Sequence, residues 1–384
     1  MKVLFVLIQK FNPILGGVER STYKISKFLA TRGCNCAVYS LDCNTNFELD
    51  NVTVERSLES GNYLNEKNIE HLCNFILKIK PDIIINQSPY YLNSQISDVI
   101  KKIDIKYLAC LRQSLFMFKD NYELQIAKMG SGFMQKLLLN PLVRQLVLKR
   151  HDYRQKKILK HILNVHTKYI MLTESNIGEI QYFVGKYKEE RLHVIPNSIP
   201  FVNQIDFNQK EKILLHVGRL NTVQKKSDLL LPLWEKVSEK LKDWKFVIVG
   251  DGDYYKELKE KSKSLERIEV VGYQAPDTFY HKASLFMMPS AYEGFPNTLI
   301  EAQSYGCFPF VFDSYAALRD IVNDENAGIS EPFNIEDMAD NIVRVAKDSQ
   351  GLEKRMKMAL GNAKKYTIDN VGKMWIELFK QELN

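Results

Sequence analysis

The sequence predicts an α/β protein made of two parallel-sheet domains in series. Three observations carry this expectation. The chain opens with a continuous apolar run, "KVLFVLI" at 2–8, then a loop with proline and two glycines, a helical segment and a second strand. The same order restarts at "KILLHVG", 212–218. Finally, 384 residues exceed one ordinary core and fit two domains of about 150–200 residues. An unbroken apolar run marks a strand covered on both faces, and strand–helix–strand order makes neighbouring strands parallel.

The elements follow in order. After the first strand, "VERSTYKISKFLATRG" has helical spacing and stops at Gly33, and "CNCAVYSL" is a strand. "IEHLCNFILKIK" and "PDIIINQ" read as helix and strand, as do "SQISDVIKKI" and "IKYLAC". Residues 112–165 break the rhythm as a basic insertion of helical period. "YIMLTES", "SNIGEIQYFVGK" and "RLHVIPNSIP" close the first domain, expected over 1–195. The polar "FVNQIDFNQKEK" marks the junction. The second domain, 196–365, alternates again: "WKFVIVGDG", "IEVVGY", "SLFMMPS" and "CFPFVFD" are strands between helices. Residues 366–384 are expected to cross back to the first domain as a helix.

Composition excludes several classes. With 45% apolar and 26% charged residues, this is a globular chain, not a disordered one. No stretch reaches the length of a membrane span, and no cleavage-site pattern follows the first apolar run. The six cysteines form no CxxC pair and suit free thiols in a reducing compartment; the seven histidines form no metal-ligand cluster. The net charge of +7 points to an anionic partner without naming it. Its basic residues lack the aromatic interleaving of a nucleic-acid groove.

Four constellations carry chemistry. In "NPILGGVERS", Gly16 and Gly17 permit a tight turn, and the following helix presents free N–H groups; the alternatives are an anion or sugar contact and a plain loop. In "LHVGRLNTVQKKSDLL", Gly218 precedes Arg219 at a strand exit, with Lys225 and Lys226 beyond, either as phosphate-neutralising groups or as a solvated basic loop. In "PSAYEGFPNTLIEAQSYG", Glu293 lies in a glycine–proline loop. Thr298 with Glu301 three residues on has the spacing of a capping box, which gives Glu301 a structural explanation. The N–H groups of 294–298 suit a phosphate, and the carboxylates suit uncharged hydroxyls; together these describe a sugar nucleotide. Lastly, residues 144–160 hold seven Lys or Arg and one acid, Asp152, with leucines between them, either a membrane-surface helix or a solvated face. "GDGDYYKEL" reads as a turn entering a helix.

Taken in order, "PILGGVER", "VIPNSI", "VGRLNTVQKKSDLL" and "PSAYEGFPNTLIEAQSYG" resemble the retaining glycosyltransferases of GT-B type, group 1 or family 4-like. The resemblance covers most of the chain and is strongest over 190–320. It implies two Rossmann-like domains facing across a central cleft. It also implies that Arg219 and Lys225 hold the donor diphosphate and, with Glu293, form the catalytic set, Glu293 facing the donor sugar. Glu301 would bind the ribose. Gly16, Gly17, Gly218, Gly294, Phe295, Pro296, Asn297 and Thr298 would complete the donor site. No metal or other cofactor is implied; the donor would be a UDP- or GDP-sugar. Relatives carry a histidine near the end of an amino-terminal-domain strand, whereas "YLACLRQSLF" has none. Arg112 stands nearest, as a sugar or acceptor contact.

The resemblance further implies transfer to a hydroxyl of a glycan or lipid-linked glycan in surface polysaccharide assembly. The setting would be the cytoplasm, with peripheral attachment at the inner membrane face through 144–160. Rival readings are a non-catalytic nucleotide-sugar-binding protein and a non-hydrolysing nucleotide-sugar epimerase.

Overall fold

A computed structural model describes residues 1–14, 16–44, 47–127, 132–199, 202 and 204–384. Leu15 of the first glycine loop, residues 128–131 of the basic insertion, and 200, 201 and 203 of the junction lie outside the described residues. The chain divides into two compact units. Unit 1 comprises Met1–Phe116, Gly132–Ser198 and Ile368–Asn384; unit 2 comprises Met117–Ser131 and Ile199–Thr367.

The sheet of unit 1 has seven strands: β1 (Lys2–Leu7), β2 (Asn35–Ser40), β3 (Val52–Arg56), β4 (Ile83–Asn86), β5 (Lys106–Cys110), β6 (Lys168–Met171) and β7 (Leu192–Val194). Their order is β3-β2-β1-β4-β5-β6-β7, and every pairing is parallel. The central strand β1 pairs Val3 with both Cys36 and Ile83. From Val3 to Leu7 it is wholly buried, as its unbroken apolar run requires. β3 and β7 do not stand out in the sequence. β3 is an edge strand with one buried residue in five, and β7 is three residues long.

The sheet of unit 2 has six strands: β8 (Glu211–Val217), β9 (Lys245–Val249), β10 (Ile268–Gly272), β11 (Ala283–Met288), β12 (Phe308–Phe312) and β13 (Gly328–Ser330). Their order is β10-β9-β8-β11-β12-β13, again all parallel. Trp234, Phe246, Phe308 and Phe310 anchor one face of this sheet. The buried Trp234 donates its indole N–H to the Glu266 carbonyl at 3.0 Å, so its single polar atom is satisfied.

The last helix, Ile368–Leu383, belongs to unit 1. Val371, Trp375, Leu378 and Phe379 recur at helical spacing and are buried in one cluster with Phe5, Phe28 and Ile170. Gly372 faces the Phe28 ring so closely that an added methyl would overlap ring carbons. In an open helix interior, Gly→Ala stabilises by about 1 kcal/mol. Here Gly372→Ala is expected to destabilise unit 1 by about 1–3 kcal/mol through overpacking. Urea unfolding of both proteins checks the sign, and a more stable variant would show that the ring yields freely.

Candidate functional site

In an open parallel sheet, ligands sit beyond the carboxyl ends of the strands, where strand order reverses direction. In unit 2 that point lies between β8 and β11, since β9 and β10 extend one way from β8 and β12 and β13 the other. The segments leaving these two strands are the basic loop from Gly218 and the acidic loop from Pro289. Topology alone therefore brings together two stretches about seventy residues apart.

The basic loop is held by its own side chains. Asn221 Oδ1 accepts the N–H groups of Gln224 at 2.9 Å and Lys225 at 3.1 Å. The Ser227 hydroxyl accepts the Asn221 N–H at 3.1 Å, and Ser227 N–H returns to the Asn221 carbonyl at 3.0 Å. The loop then meets the acidic one. Ala291 N–H donates to the Gln224 carbonyl at 2.7 Å. Lys225 Nζ lies 2.5 Å from Glu293 Oε1, and Gln224 Nε2 donates to Glu293 Oε2 at 3.4 Å. Both charged side chains are largely enclosed, with 17% of Lys225 and 8% of Glu293 exposed. Lys226, with a left-handed backbone at φ 50°, swings its ammonium over the Phe333 ring at 5.4 Å.

Beneath this pair lies His216, fully buried on β8. Its Nδ1 bonds the Met287 carbonyl of β11 at 2.9 Å, stitching the two strands at the switch point. Burial pushes its pKa down to about 4, so the ring is neutral near pH 7. On the other side, burial first and the Glu293 charge second push the Tyr315 phenol up, keeping it protonated.

The helix Asn297–Ser304 starts in the acidic loop. The sequence expectation that Thr298 caps it is corrected. Pro296 occupies the cap position without a side-chain cap bond, and Thr298 lies inside the first turn with its hydroxyl toward Met288 Sδ at 4.0 Å. A proline cannot supply a capping oxygen, so the turn's N–H groups are left over. Asn297 N–H bonds the Phe295 carbonyl at 2.9 Å, but those of Gly294, Phe295 and Thr298 donate to no acceptor among the described residues. Glu301 is buried in the same helix. The Phe295 ring is spent on packing, edge-on to Tyr366 with centroids 5.6 Å apart.

Arg219 is exposed, with no ion-pair partner among the described residues. It lines a cavity of about 840 Å³ together with Asn221, Gln224, Asp253, Tyr254 and Glu257. Lys225, Glu293 and Glu301 are not in that lining; Gln224 is the residue common to the cavity and the Lys225–Glu293 pair. Asp253, Tyr254 and Glu257 were read from the sequence as a simple turn and helix. Their placement follows from the "GDG" turn, which clamps the Arg219 loop. Gly218 N–H bonds the Val249 carbonyl at 3.1 Å, Leu220 N–H the Asp251 carbonyl at 2.9 Å, and Tyr254 N–H the Leu220 carbonyl at 3.1 Å. The backbone of this loop is closely approached by the turn, and the glycines that permit it are Gly250 and Gly252. Both have φ 152°, and a methyl on either would overlap the carbonyl of Gly218 or Leu220. That doublet with its strand exit was the signal available in the sequence.

In unit 1, Gly16 and Gly17 do not use unusual dihedrals as expected. Gly16 is extended at φ −159° and Gly17 opens the helix Gly17–Thr31. What Gly16 provides is room: the Glu19 carboxylate folds back over it where a methyl would stand. Glu19 is buried, its pKa raised by that burial, and it lines a cavity of about 560 Å³ with Gln9, Lys10, Asp42, Tyr63 and Tyr91 at the β1–β4 switch point. Arg112 follows β5 in the same unit, its Nε donating to Gln87 Oε1 at 2.7 Å and its Nη1 to Asn197 Oδ1 at 3.1 Å.

At its switch point this doubly wound α/β unit brings Lys225 and Glu293 together beside unbonded amides, in the place where such sheets generally take ligands. Residues 199–365 match the family described as Glycosyl transferases group 1. The match covers less than half of the chain and lies wholly within unit 2. The chain's curated relatives include an amylovoran biosynthesis glycosyltransferase, AmsD, of Erwinia amylovora, 29% identical over 52% of this chain and 61% of that protein. A Campylobacter jejuni N-acetyl-D-galactosaminyltransferase named for an undecaprenol-linked substrate is 26% identical over 51% of this chain and 56% of its own. The chain thus spans little more than half the length of these two relatives. Among solved structures, the lipopolysaccharide outer core galactosyltransferase WaaB aligns over 100% of both chains, with a TM-score of 0.71 and 18% identity. Anabaena HepE in complex with UDP and glucose aligns over 99% of this chain and 100% of its own, with a TM-score of 0.69 and 15% identity. The fold is GT-B.

The clamp around Arg219 is directly testable. Gly250→Ala is expected to cost about 2 kcal/mol or more, since no L side chain relaxes at that φ without displacing the Gly218 carbonyl. Denaturant unfolding reads the loss, and a stability within about 0.5 kcal/mol of wild type would show that the turn does not constrain the loop.

Proposed function

We propose that the protein is a retaining glycosyltransferase that moves a sugar from a nucleotide sugar to a hydroxyl of a glycan or lipid-linked glycan, in surface polysaccharide assembly. In this reading residues 196–365 take the donor, and 1–195 with the returning helix 366–384 take the acceptor. The observation that carries it is the meeting of Lys225 and Glu293 beside the unbonded amides of Gly294, Phe295 and Thr298.

Each group has a task that its chemistry allows. The amides and the helix start attract phosphate oxygens, and Arg219 and Lys225 supply positive charge as the leaving diphosphate gains negative charge. These groups provide the counter-charge without calling on a metal. Lys225 is already neutralised by Glu293, so donor binding has to divide the ammonium between carboxylate and phosphate. Glu293, held on both oxygens by Lys225 and Gln224, serves as an acceptor for sugar hydroxyls rather than as a glycosidase-type nucleophile. Glu301, one helical turn inside, is assigned to the ribose. UDP as the nucleotide draws support from the Anabaena neighbour's complex, and a lipid-linked acceptor from the Campylobacter relative's name.

Attachment to an anionic membrane face draws support from the helices Phe133–Leu139 and Pro141–Val165. The first buries none of its residues; the second buries only Leu159, Ile162 and Leu163, near its end. Phe133, Met134, Leu142 and Leu146 are 80%, 59%, 73% and 67% exposed beside Lys149, Arg150, Arg154, Lys156 and Lys157. Apolar and basic side chains exposed together on these two successive helices are the composition of an interfacial element. No helix of the described residues is long and apolar enough to cross a membrane.

Two measurements test this reading. In a thermal-shift assay with EDTA present, UDP is expected to raise the melting temperature; Arg219→Ala and Lys225→Ala should each weaken apparent affinity by about ten-fold or more. Unchanged affinity in both variants would remove the diphosphate assignment. In vesicle sedimentation, binding to phosphatidylglycerol-containing liposomes should exceed binding to neutral ones and fall as salt rises from about 0.05 to 0.5 M. Leu142→Ser with Leu146→Ser should weaken it further; equal binding to both vesicle types counts against the membrane role.

A further inference from the structure

We infer that unit 1 carries a recognition site for an anionic group of the substrate, a carboxylate or a phosphate, built on Arg112 and Gln87. The inference rests on the nucleotide-sugar reading for the identity of the substrate but not for the existence of the site.

Gln87 follows β4, Arg112 follows β5 and Asn197 follows β7, so all three stand at the carboxyl edge of the unit 1 sheet. The guanidinium is bonded by two neutral amides, Gln87 through Oε1 and Asn197 through Oδ1, and no carboxylate among the described residues pairs with it. Its Nη2 is buried with no acceptor, and so is the Nε2 of Gln87. These two orphans are neighbours. Each is one covalent angle away from the 2.7 Å hydrogen bond that joins Arg112 Nε to Gln87 Oε1.

The orientation of the glutamine is fixed by that bond. Arginine has no acceptor, so Gln87 must turn its oxygen to the guanidinium, which leaves its NH₂ as the unpartnered group. The two unpartnered atoms therefore offer hydrogens and positive charge, and neither nitrogen offers a lone pair. A neutral sugar hydroxyl fits them poorly, because its own proton needs an acceptor. A carboxylate or phosphate oxygen accepts from both nitrogens and supplies the missing counter-charge. A buried charge left unpaired is among the more costly states in a protein, which argues that the partner arrives with a ligand. The anion belongs either to the donor, as a uronic acid carboxylate, or to the acceptor, as a phosphate.

Two matched pairs separate these sources. UDP-glucuronate against UDP-glucose places the charge on the donor; geranyl phosphate against geraniol places it on a lipid-like acceptor. Affinities by calorimetry for the full chain are expected to favour the charged member of one pair by about ten-fold, and Arg112→Gln to reduce that preference below about two-fold while UDP itself binds as before. A preference in neither pair, or one that survives Arg112→Gln, overturns the site. If UDP fails to bind the wild-type chain, the function proposed for unit 2 falls, and the geranyl pair alone decides Arg112. Should Arg112→Gln misfold by circular dichroism, Gln87→Met replaces it. That variant keeps the charge, removes one orphan donor and should cut the preference by about three-fold. An unchanged preference in it overturns the site equally.

Discussion

The buried pairing of Lys225 with Glu293 is the interaction on which the organisation of unit 2 turns. It joins the loop leaving β8 to the loop leaving β11, across the point where the sheet reverses direction. Such a pair adds little net stability, because removing both charges from water costs about as much as their attraction returns. Its value is geometric. With Gln224 bonded to the backbone of Ala291 and to Tyr292, it fixes where the carboxylate stands relative to the unbonded amides that follow. The neutral His216 below holds the two strands in register without adding a third charge to the pair.

Central strands were legible in the sequence because burial on both faces leaves runs that are mostly apolar, as in β1, β8 and β11. β3, β7 and β13 were not, because short edge strands need only a few buried positions and carry no run long enough to stand out. The paired glutamates and the basic loop were likewise visible as residue types at strand exits. Their meeting was not, since a sequence shows no contact between loops separated by three intervening α-helices and three strands. The "GDG" segment is the turn entering a helix that the sequence indicates, but its clamp was hidden for the same reason: its glycines answer to the backbone of residues 218–220, which only the packed sheet brings near.

Thr298 and Glu301 show the opposite failure. Their spacing satisfies a capping rule, yet the cap position falls two residues earlier, at Pro296, and the local rule loses to the loop's own geometry. Because proline leaves the first turn uncapped, its N–H groups remain available, which a successful capping box would have prevented. In unit 1, the freedom expected of Gly16 proved to be space for the Glu19 carboxylate rather than an unusual dihedral. Both cases replace an intrinsic preference of a residue by a demand from its neighbours.

The terminal helix has a consequence for handling the molecule. Its aromatic face is not an ornament on unit 1 but one wall of the cluster containing Phe5 and Phe28. Cutting the chain ahead of Ile368 would strip that wall and turn the flank of the first sheet into a sticky, greasy patch inviting self-association. Leu383, at the other end of the same helix, is 44% exposed and takes no part in that wall.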